Sequence, residues 1–220
     1  FADKHVGVAK TVNVAGIAIN GPDAGNYAAN TTAATTADIK PFGLTVSAAG
    51  RNRAYDGTTV ATVTLSDNRF PGDVFTTSYA SASFADKHVG VAKTVSVSGI
   101  AINGPDAGNY AANATATTTA DITPFGLTVS AAGRNRAYDG TTVATVTLSD
   151  NRIPGDAFTI SYASASFADK HVGVAKTVSV AGIAISGPDA GNYTANATAT
   201  TTADITPFGL TVSAAGRNRA

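Results

Sequence analysis

Few side chains in this sequence could carry out chemistry. Histidine occurs three times, as His5, His88 and His171, each within Asp-Lys-His-Val-Gly. Cysteine is absent, which removes thiol nucleophiles and disulfides. No Gly-x-Ser-x-Gly pattern marks an activated serine, and the aspartates are scattered beside Gly or Asn as turn residues. We therefore predict that the protein is not an enzyme and has no catalytic residue.

The loop sequence Gly-Pro-Asp-Ala-Gly-Asn occurs at 104–109 and again at 187–192. It offers oxygen donors that could bind a metal ion. Calcium takes six to eight oxygen ligands, often from several carboxylates. One Asp and one Asn per loop supply few of them, so an ordinary turn is the favoured interpretation. Calcium stays the alternative, and no other cofactor is expected. The candidate calcium ligands are Asp106, Asn109, Asp189 and Asn192.

Three further features have a functional and a structural interpretation. Arg51 and Arg53 could contact an anion or an acidic glycan, or could be solvated charges at a strand end. Lys93 could form an isopeptide bond with a nearby Asp. Asn-x-Thr, the acceptor pattern for glycosylation, also arises by chance in a Thr-rich chain. It occurs at Asn30, Asn113 and Asn196.

The composition determines which elements can position these residues. Glu, Gln, Met and Cys are absent, which removes several of the best helix formers, whereas Thr and Val are abundant and favour strands. The 15 basic and 15 acidic residues balance, so nothing favours nucleic acid. No apolar run is long enough for a membrane-spanning helix. An all-β protein without nucleic-acid partners or a membrane span is expected.

The sequence repeats itself almost unchanged. Phe-Ala-Asp-Lys-His-Val-Gly begins at Phe1, Phe84 and Phe167, a period of 83 residues. Residues 42–83 and 125–166 differ only at Phe70/Ile153, Val74/Ala157 and Thr77/Ile160. Such uniform copies favour a role in which number and length matter, as in a spacer.

Proline is the best marker of the boundaries between repeats, because it cannot donate a backbone hydrogen bond to a β-ladder and favours the starts of strands. We place the joints at Pro41, Pro124 and Pro207. The predicted domains are then 1–41 (the C-terminal part of a repeat), 42–124 and 125–207 (complete repeats), and 208–220 (the start of another). On this division both ends fall inside a repeat, which suggests a segment of a longer array.

Alternating apolar residues predict about six or seven short strands per repeat. Val95 and Val97 occupy odd positions, but Ile100 and Ile102 occupy even ones, so a β-bulge or bend is predicted at Gly99 and likewise at Gly16 and Gly182. The fold predicted from this pattern is tandem Ig-like β-sandwich repeats in an extended array. A β-grasp-like unit is the alternative, although it requires a helix.

The motifs resemble those of a known repeat family. Five motifs follow one another along the repeat: Tyr55-Asp56-Gly57-Thr58-Thr59, Gly72-Asp73, 84–90, Gly104-Pro105-Asp106-Ala107-Gly108-Asn109-Tyr110 and Ala120-Asp121-Ile122-Thr123-Pro124. Their order is similar to that of the YDG-type repeat of large bacterial surface adhesins, including filamentous-haemagglutinin-like proteins. The resemblance implies an extracellular protein of the bacterial cell surface, in which such repeats form stalks. It implies no catalytic residues.

Three functions remain open. The chain could be a structural stalk or spacer segment of an adhesin or filament, whose repeats project or mediate adhesion. It could be a multivalent glycan- or protein-binding module, with an exposed Tyr55 or Tyr138 in a shallow pocket. It could also be a surface filament that assembles by strand complementation. The expected partners are neighbouring repeats, and beyond them host or surface glycans, proteins or other copies of the chain.

Overall fold

The computed structural model describes residues 1–217 and residue 219. The all-β prediction is confirmed: those residues form 22 short strands, and the only helical elements among them are three single 3-10 turns, at Ala24–Asn26, Ala107–Asn109 and Ala190–Asn192. Among the described residues, no helix is long and apolar enough to cross a membrane. The branched side chains of Thr and Val suit this pleated structure.

The strands follow one another in the same order in each repeat. They are β1 (Gly7–Ala15), β2 (Thr32–Ile39), β3 (Phe42–Leu44), β4 (Val46–Gly50), β5 (Arg53–Ala54), β6 (Val63–Asp67), β7 (Thr76–Ser78), β8 (Ser81–Phe84), β9 (Gly90–Ser98), β10 (Ala101–Asn103), β11 (Tyr110–Ala112), β12 (Thr115–Thr123), β13 (Phe125–Leu127), β14 (Val129–Gly133), β15 (Arg136–Ala137), β16 (Val146–Asp150), β17 (Thr159–Ser161), β18 (Ser164–Phe167), β19 (Gly173–Ala181), β20 (Ala184–Ser186), β21 (Tyr193–Ala195) and β22 (Thr198–Thr206).

The chain forms two compact units, and neither is contiguous in sequence. Unit 1 comprises Phe1–Asn52, Thr59–Asp86 and Ala92–Asp121, and unit 2 comprises Arg53–Thr58, Lys87–Val91 and Ile122–Ala220. The joints expected at Pro41, Pro124 and Pro207 follow the sequence period, whereas the units do not. The physical reason is that Arg53–Thr58 and Lys87–Val91 lie within the predicted repeat 42–124 but pack against residues of the following repeat.

Unit 2 shows the sheet topology most completely. Four strands form a sheet in the order β15-β22-β19-β18, in which only the β15–β22 pair is parallel. The strands β14 and β16 pair antiparallel, as do β17 and β20, and β13 pairs parallel with β21. Alternate residues point into the core, where Val178 and Val180 are fully buried beside Ile205.

Unit 1 contains β1 and β2 as an antiparallel pair, and β12, β9 and β8 as neighbours in a second sheet. Antiparallel pairing joins β4 to β6, β7 to β10 and β8 to β9, while β3 runs parallel to β11. Leu44 and Val46, which alternate along β3 and β4, are both buried.

The predicted change of facing at Gly99 is a bend. The strand β9 ends before Gly99 and β10 begins after it, and Gly99 has φ +67°, a conformation that glycine adopts at little cost. Val95, Val97 and Ile100 are all buried, so the bend restores the inward facing despite the change of parity. Gly16 and Gly182, where a bulge or bend was also predicted, have φ +74° and +68° and directly follow β1 and β19.

A true register shift occurs elsewhere, between Gly173 and Lys176 where β19 pairs with β22. Ala175 within it has φ +48°, and its N–H donates to the Asp204 carboxylate at 2.8 Å. The sequence did not predict this bulge, because alanine carries no signal for a left-handed conformation. The hydrogen bond that the Asp204 carboxylate accepts from this N–H offsets part of the strain.

Candidate functional site

The short strand β5 positions Tyr55. Arg53 and Ala54 pair in parallel with Ile122 and Thr123, and the N–H of Tyr55 donates to the carbonyl of Thr123 at 2.8 Å. This pairing delivers the ring into the interior of unit 2, where Tyr55 is only 1% exposed. The prediction of an exposed Tyr55 in a shallow pocket is therefore wrong. The prediction failed because the tyrosine ring of this turn is large and apolar, and it is more stable when buried.

The Tyr-Asp-Gly-Thr turn is fixed by its own residues. The Asp56 carboxylate accepts hydrogen bonds from the N–H and the hydroxyl of Thr58, both at 2.8 Å. Gly57 has φ +78°, and a Cβ at this position would lie 3.0 Å from Cγ2 of Ile153. The turn thus packs closely on Ile153 of the same unit, which explains why glycine is needed there.

Tyr55 reaches a buried carboxylate, and four residues of unit 2, Tyr55, Lys87, Asp156 and Tyr193, form the Asp156 cluster. The Tyr55 hydroxyl lies 2.8 and 3.0 Å from the two Asp156 oxygens, and the Tyr193 hydroxyl donates to Oδ2 at 2.6 Å. Lys87 Nζ donates to Oδ1 at 2.7 Å. The rings of Tyr55 and Tyr193 meet edge to face with centroids 5.6 Å apart.

The electrostatics of the Asp156 cluster favour a charged Asp156 and neutral phenols. Burial alone would raise the pKa of Asp156, but hydrogen bonds from Lys87, Tyr193 and Tyr55 outweigh it and hold the pKa below its ordinary value. Burial, reinforced by the hydrogen bond to Asp156, raises the pKa of Tyr193 to about 12. The hydrogen bond to Asp156 also raises the pKa of Lys87. The cluster is therefore an ion pair whose carboxylate also accepts hydrogen bonds from two phenols.

A second segment, Lys87–Val91, completes unit 2. The N–H of Val89 donates to Oδ1 of Asn192 at 3.1 Å, and the amide nitrogen of Asn192 lies 3.3 Å from Nδ1 of His88. The invariant Asp-Lys-His-Val-Gly motif thus supplies a lysine to a carboxylate and a backbone donor to an amide, which are positioning roles.

The calcium candidates serve the backbone in this structure. Asp106 accepts from the N–H of Val74 at 2.8 Å, and Asp189 accepts from the N–H of Ala157 at 2.9 Å. Asn109 accepts from the N–H of Val6 at 3.0 Å, as Asn192 does from Val89. Within residues 1–217 and 219, no group of three or more His, Cys, Asp or Glu side chains is arranged to hold a metal ion.

Unit 1 contains the counterpart of the Asp156 cluster, which we call the Asp73 cluster: Lys4, Asp73 and Tyr110. The Tyr110 hydroxyl donates to Oδ2 of Asp73 at 2.6 Å, and Lys4 forms an ion pair with Oδ1. The hydrogen bonds from Lys4 and Tyr110 hold the pKa of Asp73 below its usual value. Among the described residues, none takes the place of Tyr55, and Asp73 and Tyr110 line an open cavity instead. The Asp73 side chain is 10% exposed, against 2% for Asp156.

The other residues singled out from the sequence have structural roles. Asn113, in an Asn-x-Thr pattern, accepts from the N–H of Val46 at 2.7 Å and donates to its carbonyl at 3.0 Å. Lys93 forms an ion pair with Asp86. Arg53 donates to the carbonyl of Thr58 at 2.6 Å. These contacts hold strands and turns in place.

Sequence reasoning did not single out Lys87 and Asp156 as partners. A signal existed, because both lie in motifs that recur without change at the 83-residue period, as Asp-Lys-His-Val-Gly and Pro-Gly-Asp. Neither motif indicates that its partner belongs to a different period. Only the fold brings positions 69 residues apart into an ion pair.

These observations define the class of the protein: it is an all-β repeat protein whose units each contain a cluster of aromatic and ionic side chains. Comparison with protein families identifies YDG domains at residues 40–120 and 123–203, and the chain belongs to the YDG domain family. The YDG-type tandem repeat inferred from the motifs is thereby confirmed. Neither the curated proteins nor the solved structures include a match to this chain.

Proposed function

We propose that this chain is a structural spacer segment of a bacterial cell-surface adhesin or filament, in which YDG repeats form a stalk that projects or mediates adhesion. The proposal places the protein outside the cell, as the motif resemblance implies. Its repeats hold position and length, and they perform no chemistry. The partners of each repeat are the neighbouring repeats of the same chain.

One observation carries this proposal: the Tyr55 hydroxyl from the first YDG match bonds the buried Asp156 carboxylate of the second. Unit 2 is built partly from Arg53–Thr58 and Lys87–Val91, so it depends on residues from the preceding repeat. A chain of such repeats shares core residues at each step, and this resists separation better than a flexible linker does. That property suits a load-bearing spacer.

The near-identity of the copies supports the same function. Residues 84–137 and 167–220 differ only at Ser98/Ala181, Asn103/Ser186 and Ala111/Thr194. A single binding site would need one good copy, whereas a spacer needs many equal ones. We further propose that each unit is an Ig-like β-sandwich, since its short strands alternate between buried and exposed residues.

Small-angle X-ray scattering tests the spacer function. Chains with two, three and four 83-residue repeats should show a maximum dimension that increases by a constant amount with each repeat. A matched series carrying Tyr→Ala at every Tyr-Asp-Gly turn should lose this regular increase, because the shared cluster is removed. A compact envelope whose length does not depend on repeat number would contradict the proposal.

A further inference from the structure

Unit 1 has an open cavity where unit 2 has Tyr55. The cavity measures about 370 Å³, and its lining includes Phe42, Phe70, Asp73 and Tyr110. Each of these residues has its counterpart 83 positions later, as Phe125, Ile153, Asp156 and Tyr193. In unit 2 the ring of Tyr55 packs on Tyr193 and its hydroxyl bonds Asp156. We propose that the Asp73 cavity is a binding site for a tyrosine-bearing turn, the Tyr-Asp-Gly-Thr turn of another YDG repeat.

The walls of the Asp73 cavity suit an aromatic ring. Phe42 and Phe70 pack with ring centroids 4.7 Å apart, and Tyr110 stands edge-on to Phe42 at 6.0 Å. Phe70 is 53% exposed, whereas its counterpart Ile153 is half-buried and faces Gly57 of the turn. An incoming Tyr-Asp-Gly turn would cover Phe70 as the turn at Gly57 covers Ile153.

The floor of the Asp73 cavity suits a phenol rather than a plain hydrocarbon. Asp73 accepts one hydrogen bond from Tyr110 and one from Lys4. A carboxylate can accept about four hydrogen bonds, and Asp156 accepts a further one, from Tyr55. A phenol hydroxyl entering unit 1 would therefore find a carboxylate that already has the same two donors, a lysine and a tyrosine. A ligand without a hydroxyl would leave this buried carboxylate without the additional hydrogen bond, so the cavity should bind a phenol more tightly than a plain hydrocarbon ring.

The Asp73 cavity takes the turn alone, not the whole preceding repeat. The place that Lys87–Val91 fills in unit 2 is already filled in unit 1, because Val6 donates its N–H to Asn109 and Lys4 pairs with Asp73. A short peptide is thus the direct probe. The inference rests on the proposed function for its biological sense, but its test does not depend on the length measurement.

The test uses the full 220-residue chain labelled with ¹⁵N and the peptide Arg-Ala-Tyr-Asp-Gly-Thr-Thr, the sequence of residues 53–59. Amide shifts should concentrate around Phe42, Phe70 and Asp73, with a dissociation constant on the order of 0.1 to 1 mM for so small a ligand. The Tyr→Phe peptide should bind about tenfold more weakly because it lacks the hydroxyl. The Tyr→Ala peptide should cause no shifts at these positions.

Two protein variants complete the design. Asp73→Asn should weaken binding of the Tyr peptide about tenfold and leave the affinity for the Phe peptide nearly unchanged. Tyr55→Ala should open a second site and add shifts around Asp156 and Tyr193. The peptide comparison needs no protein change, so it stands even if a variant fails to fold. Equal binding of the Tyr and Ala peptides, or shifts away from the Asp73 cavity, would overturn the proposal; the regular length increase in scattering would then still test the spacer function separately.

Discussion

Tyr55 and Asp156 are separated by 101 residues, and the tyrosine hydroxyl lies 2.8 and 3.0 Å from the two carboxylate oxygens. The contact joins a turn of the first YDG match to the core of unit 2. Tyr193 and Lys87 donate to the same carboxylate, so each partner fixes the others.

Replacing the buried carboxylate should weaken unit 2. The change Asp156→Asn removes the charge that Lys87 and the two phenols bond, and we expect unit 2 to lose about 2 kcal/mol of stability. Amide hydrogen exchange in β19 and β22 measures the free energy of opening of unit 2. The matched change Asp73→Asn should cost unit 1 less, since Asp73 has one phenol partner and is more exposed. Equal losses in the two units would contradict the role given to Tyr55.

Alkaline pH should destabilise unit 2 through its phenols. The pKa of Tyr193 is raised to about 12 and that of Tyr55 is also raised, chiefly by burial. Because the folded state favours the neutral phenol, this stabilisation is complete below about pH 10, the ordinary tyrosine pKa. It should be lost progressively as the pH rises from about 10 to about 12, when unfolded tyrosines ionise first. Urea midpoints measured across this range report the loss.

The variant Tyr193→Phe provides the control for the alkaline transition, because it cannot ionise at this position. Its midpoint should be lower at neutral pH, owing to the lost hydrogen bond to Asp156, but should fall less steeply above pH 10. A pH dependence identical to that of the parent chain would show that the cluster phenols do not control alkaline unfolding.

The bend at Gly99 should tolerate no larger residue. A Cβ on Gly99 would lie 2.6 Å from Cβ of Ala80, and its φ of +67° already disfavours side chains. We expect Gly99→Ala to cost about 2 kcal/mol from combined strain and overpacking. Gly108→Ala is the matched control, since a Cβ there meets nothing within 4 Å and should change stability by no more than about 0.5 kcal/mol. Thermal unfolding of both variants makes the comparison, and similar melting temperatures would contradict the predicted strain.

Local patterns in the sequence were sufficient for the strands and bends. Alternation at Val95 and Val97 and its reversal at Ile100 depend only on neighbouring residues, and the structure confirms them. The bulge at Ala175 was not predictable, because its left-handed conformation is stabilised by Asp204, 29 residues away.

The candidate site was harder to predict because its partners lie in different repeats. The period makes residues 42–124 look self-contained, so Tyr55 was expected at an exposed turn. Burial of the ring against Tyr193 is a long-range effect that no motif spacing reveals. Phe70 illustrates the same limit: it is exposed, although its sequence context matches that of the half-buried Ile153.

The most direct test of shared repeats is a double-mutant cycle on Tyr55 and Asp156. The stability of unit 2 is measured by hydrogen exchange in the full chain for Tyr55→Phe, Asp156→Asn and the double variant. Tyr138→Phe, which alters the half-exposed tyrosine 83 residues later, replaces Tyr55→Phe in the control cycle. We predict a coupling energy of about 1 kcal/mol or more for Tyr55 with Asp156 and additivity within about 0.5 kcal/mol for the control. Additivity in both cycles would contradict the conclusion that one repeat completes the core of the next.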